Sequence, residues 1–180
     1  ETRDDMALVE SARQGDEAAF AELVRANVDH VYGHARRYFG DPAAAEDATQ
    51  EVFLKVFRSL DSYRGDAAFS TWLYRVTRNV CNDLFRSGRR VPVPVDPIDV
   101  KAEASPEGAE GVVDSIALDE AVRALPPEER DAFNAVALYG LDYASAATAL
   151  DAPVGTVKSR VFRARRALVS LLDLDGDGAN

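Results

Sequence analysis

Apolar residues recur at helical spacing through the first half of the chain. Phe20, Leu23, Val24, Val28, Val31, Ala35 and Tyr38 form one such series, Ala48, Val52, Val56 and Leu60 a second, and Leu73, Val76, Val80 and Leu84 a third. A stripe repeating every three to four residues buries one face of a helix and leaves the other to solvent, so the pattern predicts three packed helices. The punctuation agrees: Asp16 after Gly15, Asp41-Pro42 after Gly40, and Ser70 after Phe69 each offer a cap for a following helix.

The second half reads differently. Residues 91–113 mix Pro, Gly, Ser and acids without sustained periodicity, which predicts an acidic, flexible linker. Beyond it, Leu118, Val122 and Leu125 mark a short helix, and Pro126-Pro127 stop it and open the next, which runs through Phe133 and Val136 to Gly140. Asp142 can cap a very short helix, YASAATAL, ending near Asp151. Pro153 and Val154 open a last helix, with Val154, Val157, Val161, Leu168 and Leu172 as its apolar stripe. A short helix, a tight turn and a basic helix make a helix-turn-helix pattern. No strand-like alternation is sustained. The expected fold is all-α: two small helical domains, residues 1–90 and 114–172, joined by the linker 91–113 and followed by an acidic tail, 173–180.

Charge changes the picture. A formal net charge of -10 over 180 residues argues against nucleic acid, whose phosphates attract a basic surface. The acids are concentrated, however. From Val91 to Glu120 eight carboxylates accompany one lysine. From Val154 to Leu172 the charged residues are Lys158, Arg160, Arg163, Arg165 and Arg166, with no acid, and between 70 and 90 five arginines accompany only Asp83. Two basic stretches flank an acidic one. The single cysteine, Cys81, excludes an internal disulfide or a thiolate cluster and suits a reducing cytoplasm. No apolar run reaches the roughly 20 residues that span a bilayer, and the N-terminal stretch is acidic, so neither membrane insertion nor an export signal is expected.

Within the last helix, Gly155, Thr156, Lys158, Ser159, Arg160 and Arg163 lie off the apolar stripe near the N-terminus. Gly155 lets backbone approach a phosphate, and the cations and hydroxyls can reach phosphates or base edges in a major groove. A solvated basic helix is the plainer alternative. Between Phe69 and Arg90, aromatic Phe69, Trp72 and Tyr74 interleave with Arg75, Arg78, Arg86, Arg89 and Arg90, as a single-strand site requires: rings to stack bases and cations to hold the backbone. Trp72 beside an apolar stripe also reads as core. Asn79, Asn82 and Asp83 could read base edges.

The stretch LPPEERDAFNAVALYGLDYASAATALDAPVGTVKSRVFRARRAL resembles region four of bacterial sigma factors, with VGTVKSR and RARRAL its most specific strings. EDATQEVFLKVFRSL followed by YRGDAAFSTWLYRVTRNVCNDLFRSGRR independently resembles region two, in the order the family has them. With no room for the further domains of housekeeping members, the chain resembles the extracytoplasmic-function (ECF) group. The resemblance implies a non-enzymatic transcription initiation factor that docks on core RNA polymerase, binds promoter DNA, needs no cofactor and is held by an anti-sigma factor. It assigns Asp47, Gln50, Glu51 and Phe53 to polymerase binding. Phe69, Trp72, Arg75, Arg78, Asn79 and Asn82 fall to the melted downstream promoter element. The last helix, with Gly155, Thr156, Lys158, Ser159, Arg160 and Arg163, falls to the upstream duplex element. The linker would thread polymerase's basic channels, though a plain tether fits its charge equally well.

Ala144-Ser145 stand where the family often has acids, Asp151 where Gly is common, and Phe162 where a polar residue is usual; an exposed Phe162 would invite cover by an inhibitor. A stand-alone helix-turn-helix regulator, which would bind duplex DNA without polymerase, is the alternative function. His30 and His34 at i, i+4 lack a third metal ligand and read as surface or satisfied core. Asp173, Asp175 and Asp177 mimic the opening of a calcium loop without its closing glutamate. Cys81 reads as a small buried hydrophobe.

Overall fold

A computed structural model describes the backbone of residues 2–88 and 109–176, with side chains from 6–88 and 116–172. Among the described residues every regular element is helical. The first domain holds α1 (Thr2–Arg13), α2 (Glu17–Phe39), α3 (Pro42–Ser59), a short 3-10 turn (Leu60–Ser62) and α4 (Phe69–Ser87). The second holds α5 (Ala109–Ala124), α6 (Pro127–Phe133), a π-helical turn (Asn134–Leu138), α7 (Tyr143–Leu150) and α8 (Val154–Gly176). Helix α1 has no counterpart in the apolar series above. It is short, and it packs Val9 into the core against α2.

Local chemistry sets most of the boundaries. The Asp16 carboxylate accepts from the Ala18 and Ala19 N–H groups, and the Asp41 carboxylate from Ala44 with Pro42 at the first helical position, so both satisfy amides that no helical carbonyl reaches. Gly40 closes α2 in the left-handed region at φ +76°. The Ser70 cap is a correction. Helix α4 begins at Phe69, its N-cap is Ala68, and no side chain caps it. The start of α5 also differs: Ala109–Ala124 takes in residues 109–113 of the stretch read as linker, because Ala, Glu and Val there tolerate helix. The rest of that linker up to residue 108, and the tail from residue 177, lie outside the described residues.

The helix-turn-helix forms as its sequence predicts. The Asp142 carboxylate accepts from the Ser145 N–H and caps α7; that backbone bond is the chief reason its pKa falls below the ordinary value. Asp151 takes the left-handed turn at φ 50° and ψ 50°, a conformation Asp reaches more cheaply than most residues. The stripe of α8 needs correction at both ends. Val157, Val161, Ala164 and Leu168 are buried, whereas Val154 and Leu172 are exposed. The buried series advances by four, three and four residues, which keeps it on one side of a 3.6-residue helix. Full burial of each of its valines and leucine contributes roughly 1.5–3 kcal/mol.

The two domains pack together. The largest apolar cluster runs from Val31, Val52, Val56 and Leu73 in the first domain to Ala135, Tyr139, Ala146 and Val161 in the second. Helix α2 meets α5 and the π-helical turn, and α4 meets α7.

Candidate nucleic-acid interface

Helix α8 presents its basic face to solvent because its apolar face is held by the domain core. Gly155, Lys158, Ser159 and Arg163 are exposed, and Thr156 and Arg160 are half-buried. A Cβ at Gly155 would meet nothing within 4 Å, so the fold itself does not need glycine there and the backbone stays open to an approaching group. The Ser159 hydroxyl donates to the Gly155 carbonyl at 2.9 Å. Two of the cations have partners in their own domain: Arg160 donates to Glu128 at 2.6 Å and Arg163 to Glu129 at 2.8 Å. Lys158 lies over the Tyr143 ring, 5.6 Å from its centroid. Phe162 stands 62% exposed on the same helix, with Arg166 5.9 Å from its ring centroid.

The candidates on α4 divide. Arg75 and Asn79 are exposed and Trp72 is half-buried, so these three make an open strip. Phe69 does not join it. Its ring is 3% exposed and packs edge-on against Tyr63 at 5.8 Å, so it cannot offer a face to a base. Starting the helix at an apolar residue beside Tyr63 pulls Phe69 inward, where it supports Trp72 at 5.7 Å. Asn82 is half-buried and accepts from the Tyr38 hydroxyl. Arg78 points into the second domain and donates to Asp131 at 2.6 Å; this hydrogen bond and the carboxylate's charge raise its pKa against the opposing effect of burial.

On α3, Gln50 is exposed and Asp47, Glu51 and Phe53 are half-buried, all off the buried stripe of Ala45, Ala48, Thr49, Val52 and Val56. Phe57 was not among the candidates, yet it is 63% exposed with its ring edge 5.2 Å from Phe20. Its signal in the sequence is an aromatic residue lying off the apolar stripe. Cys81 is buried, and burial pushes its thiol up to about 12. Among the described residues no group of three His, Cys, Asp or Glu side chains could hold a metal ion, and no helix is long and apolar enough to cross a membrane.

A helix-turn-helix whose last helix is basic and free of acids from Val154 to Leu172, joined to a bundle whose fourth helix carries an aromatic and basic strip, is the make-up of a promoter-reading protein. Residues 23–91 match the family model for Sigma-70 region 2, and residues 115–168 that for Sigma-70, region 4. The chain is 37% identical to the RNA polymerase sigma-H factor of Pseudomonas aeruginosa over 91% of each chain. It is 39% identical to the ECF RNA polymerase sigma-E factor of Escherichia coli over 91% of this chain and 92% of that one. Its fold is similar to that of CnrH in complex with the cytosolic domain of CnrY, with a TM-score of 0.73, 25% identity, and coverage of 96% and 99%. It is also similar to the sigma factor RpoE of Bartonella quintana in complex with the anti-sigma factor NepR, with a TM-score of 0.65 and 23% identity over 87% and 98%. The chain belongs to the ECF sigma factors, which direct RNA polymerase to promoters for DNA-templated transcription.

Proposed function

We propose that residues 114–172 read the upstream promoter element as duplex through Gly155, Thr156, Lys158, Ser159, Arg160 and Arg163. In the same reading residues 1–90 capture the melted downstream element through Trp72, Arg75 and Asn79, with Arg78 and Asn82 joining once their present partners release them. The observation that carries this is the open basic face of α8, held on its domain by Val157, Val161, Ala164 and Leu168 with its first turn free to enter a groove. Base stacking needs a ring face beside cations, and Trp72 with Arg75 is the pair on α4 that offers both.

Asp47, Gln50, Glu51 and Phe53 dock on core polymerase, and Phe57 extends that surface with apolar area. Polymerase supplies all catalysis; this chain is not an enzyme. It works in the cytoplasm beside polymerase, and an anti-sigma factor holds it inactive. Two chains of similar fold were solved with a second protein bound, CnrH with the cytosolic domain of CnrY and RpoE with the anti-sigma factor NepR.

The test is run-off transcription from a genomic fragment library by core polymerase with and without this protein, with Lys158→Glu/Arg160→Glu as control. Promoter-specific transcripts that vanish with the control establish the residue roles. Tight duplex binding without polymerase, and no transcripts, would instead make the chain a stand-alone regulator.

A further inference from the structure

The two DNA readers touch. Arg78 from α4 and Thr156 and Arg160 from α8 line one groove together with Glu128 and Asp131. Around it the domains exchange directed polar contacts. Arg78 donates to the Asp131 carboxylate at 2.6 Å, and the Tyr74 hydroxyl donates to the Asp131 carbonyl at 2.8 Å. Arg37 on α2 donates to Asp119 at 2.9 Å and to the Asn134 side-chain carbonyl at 3.1 Å. Beneath them His34 is fully buried, its ring 5.6 Å from Tyr74 of its own domain and 5.9 Å from Tyr139 of the other. Neither of its ring nitrogens has a hydrogen-bond partner.

We infer that the free chain is closed by an interdomain latch centred on Asp131, and that this closed form cannot bind promoter DNA until the domains part. Three physical reasons lead there. Arg78 cannot hold a phosphate while it holds Asp131. A duplex that reaches Thr156 and Arg160 has to enter the groove that Arg78 of α4 lines with them. Two readers on one groove also cannot occupy two separate promoter elements. The latch is suited to release: ion pairs taken out of water contribute little net stability when the ions can return to water, and the unpartnered His34 imidazole makes closure costly. The DNA consequence rests on the promoter-reading proposal above, whereas the closed geometry does not.

Small-angle scattering and binding to mixed-sequence single-stranded DNA test this on the full chain. Wild type is compared with Asp119→Asn/Asp131→Asn and with a wedge, Gly33→Gln. Gly33 is in mid-helix, and a Cβ there would meet only Leu138 of the second domain, at 3.4 and 3.6 Å, so the wedge opposes docking without entering either domain's core. Expected is a compact wild type, an expanded radius of gyration in both variants with melting of each domain intact, and about tenfold tighter DNA binding once open. A free wild type that is already extended, or a wedge variant that stays compact, overturns the latch. Expansion with unchanged DNA affinity overturns its inhibitory role. Run-off transcription distinguishes the two ideas: absence of promoter-specific transcripts from wild type and wedge alike would remove the sigma reading, while the scattering still decides the latch.

Discussion

Helices α4 and α8 both carry arginines aimed at DNA, yet their surroundings differ. The cations of α8 are exposed or paired inside their own domain, Arg160 with Glu128 and Arg163 with Glu129. On α4, Arg78 is tied to Asp131 across the domain boundary and Asn82 is occupied by Tyr38, leaving Trp72, Arg75 and Asn79 as the open strip. Closing the chain therefore takes Arg78 from the downstream reader and narrows the approach to Thr156 and Arg160 of the upstream reader, whereas the Asn82–Tyr38 bond lies within the first domain. Parting the domains frees the first chemically and the second sterically.

The sharpest way to break this contrast is the α8 double reversal. Each lost phosphate or base contact costs about 1–3 kcal/mol, so Lys158→Glu/Arg160→Glu should lower promoter-specific transcription at least about 30-fold. The loss should be as large in the Gly33→Gln background, because no latch contact involves Lys158. A double reversal that spares transcription would move the upstream reader off α8.

On α4 the corresponding change is Trp72→Ala. One stacked base is worth about 1–3 kcal/mol, which corresponds to roughly 5–150-fold weaker capture of single-stranded DNA. Trp72 also packs on Tyr63 and Phe69, so Trp72→Phe is the control: a ring should restore most of the binding. If the phenylalanine variant binds as poorly as the alanine variant at equal thermal stability, indole stacking is not the mechanism. The effect should be similar in wild type and in the wedge variant, because Trp72 lies on the strip that stays open in the closed chain and opening frees Arg78.

Much of the upstream reader was legible before the fold was known, because its signals are local. Asp142 as cap, Asp151 as the left-handed turn and Pro153-Val154 as the start of α8 each depend on neighbours within four residues. The downstream reader was less legible. Phe69 and Trp72 are both aromatic and three residues apart, and only the position of Tyr63 decides that one is buried and the other open. Asp131 follows Glu128, Glu129 and Arg130 in a charged stretch, and nothing local marks it as the partner of Arg78, 53 residues away. His34 reads as surface or satisfied core, yet it is fully buried with neither ring nitrogen hydrogen-bonded, and part of its cover, Tyr139, comes from the other domain. Periodicity reports that a face is covered and leaves open what covers it.

That buried imidazole gives the comparison a pH axis. Burial, reinforced by the positive charges of Arg130, Arg37 and Arg78 from three surrounding helices, lowers the His34 pKa to about 3. Tyr38, Tyr74 and Tyr139 face the same ring, and Asp131 pairs with Arg78. In the open chain the imidazole returns toward an ordinary value near 6.5, so the open form binds the proton that the closed form refuses. The titration of His34 therefore leaves closure unopposed above about pH 6.5 and opposes it increasingly as pH falls from there toward 3. Between pH 7.5 and 5.5 the closed-to-open ratio should fall about tenfold, read as a rise in the radius of gyration. His34→Phe should abolish the dependence. A tenfold change that persists in His34→Phe would assign it to another group.

The smallest effect expected is at Gly40, where the two domains meet at a backbone turn. Gly40 holds φ +76° at the end of α2, and an alanine in the left-handed region costs about 1–2 kcal/mol. A Cβ there would also run into the Arg123 guanidinium of α5, at 2.1 Å from one of its nitrogens. Arg123 is exposed, so its far end can swing aside. Gly40→Ala should therefore lower the melting temperature by a few degrees, most of it from the backbone. The contact share is separable by a double-mutant cycle with Arg123→Ala, since adjacent residues in contact are non-additive. A measurable coupling in wild type that disappears in the Gly33→Gln chain places Arg123 over Gly40 only when the domains are closed. Equal coupling in both chains would mean that α5 stays on α2 after the latch at Asp131 has opened, and that the hinge lies between these two contacts.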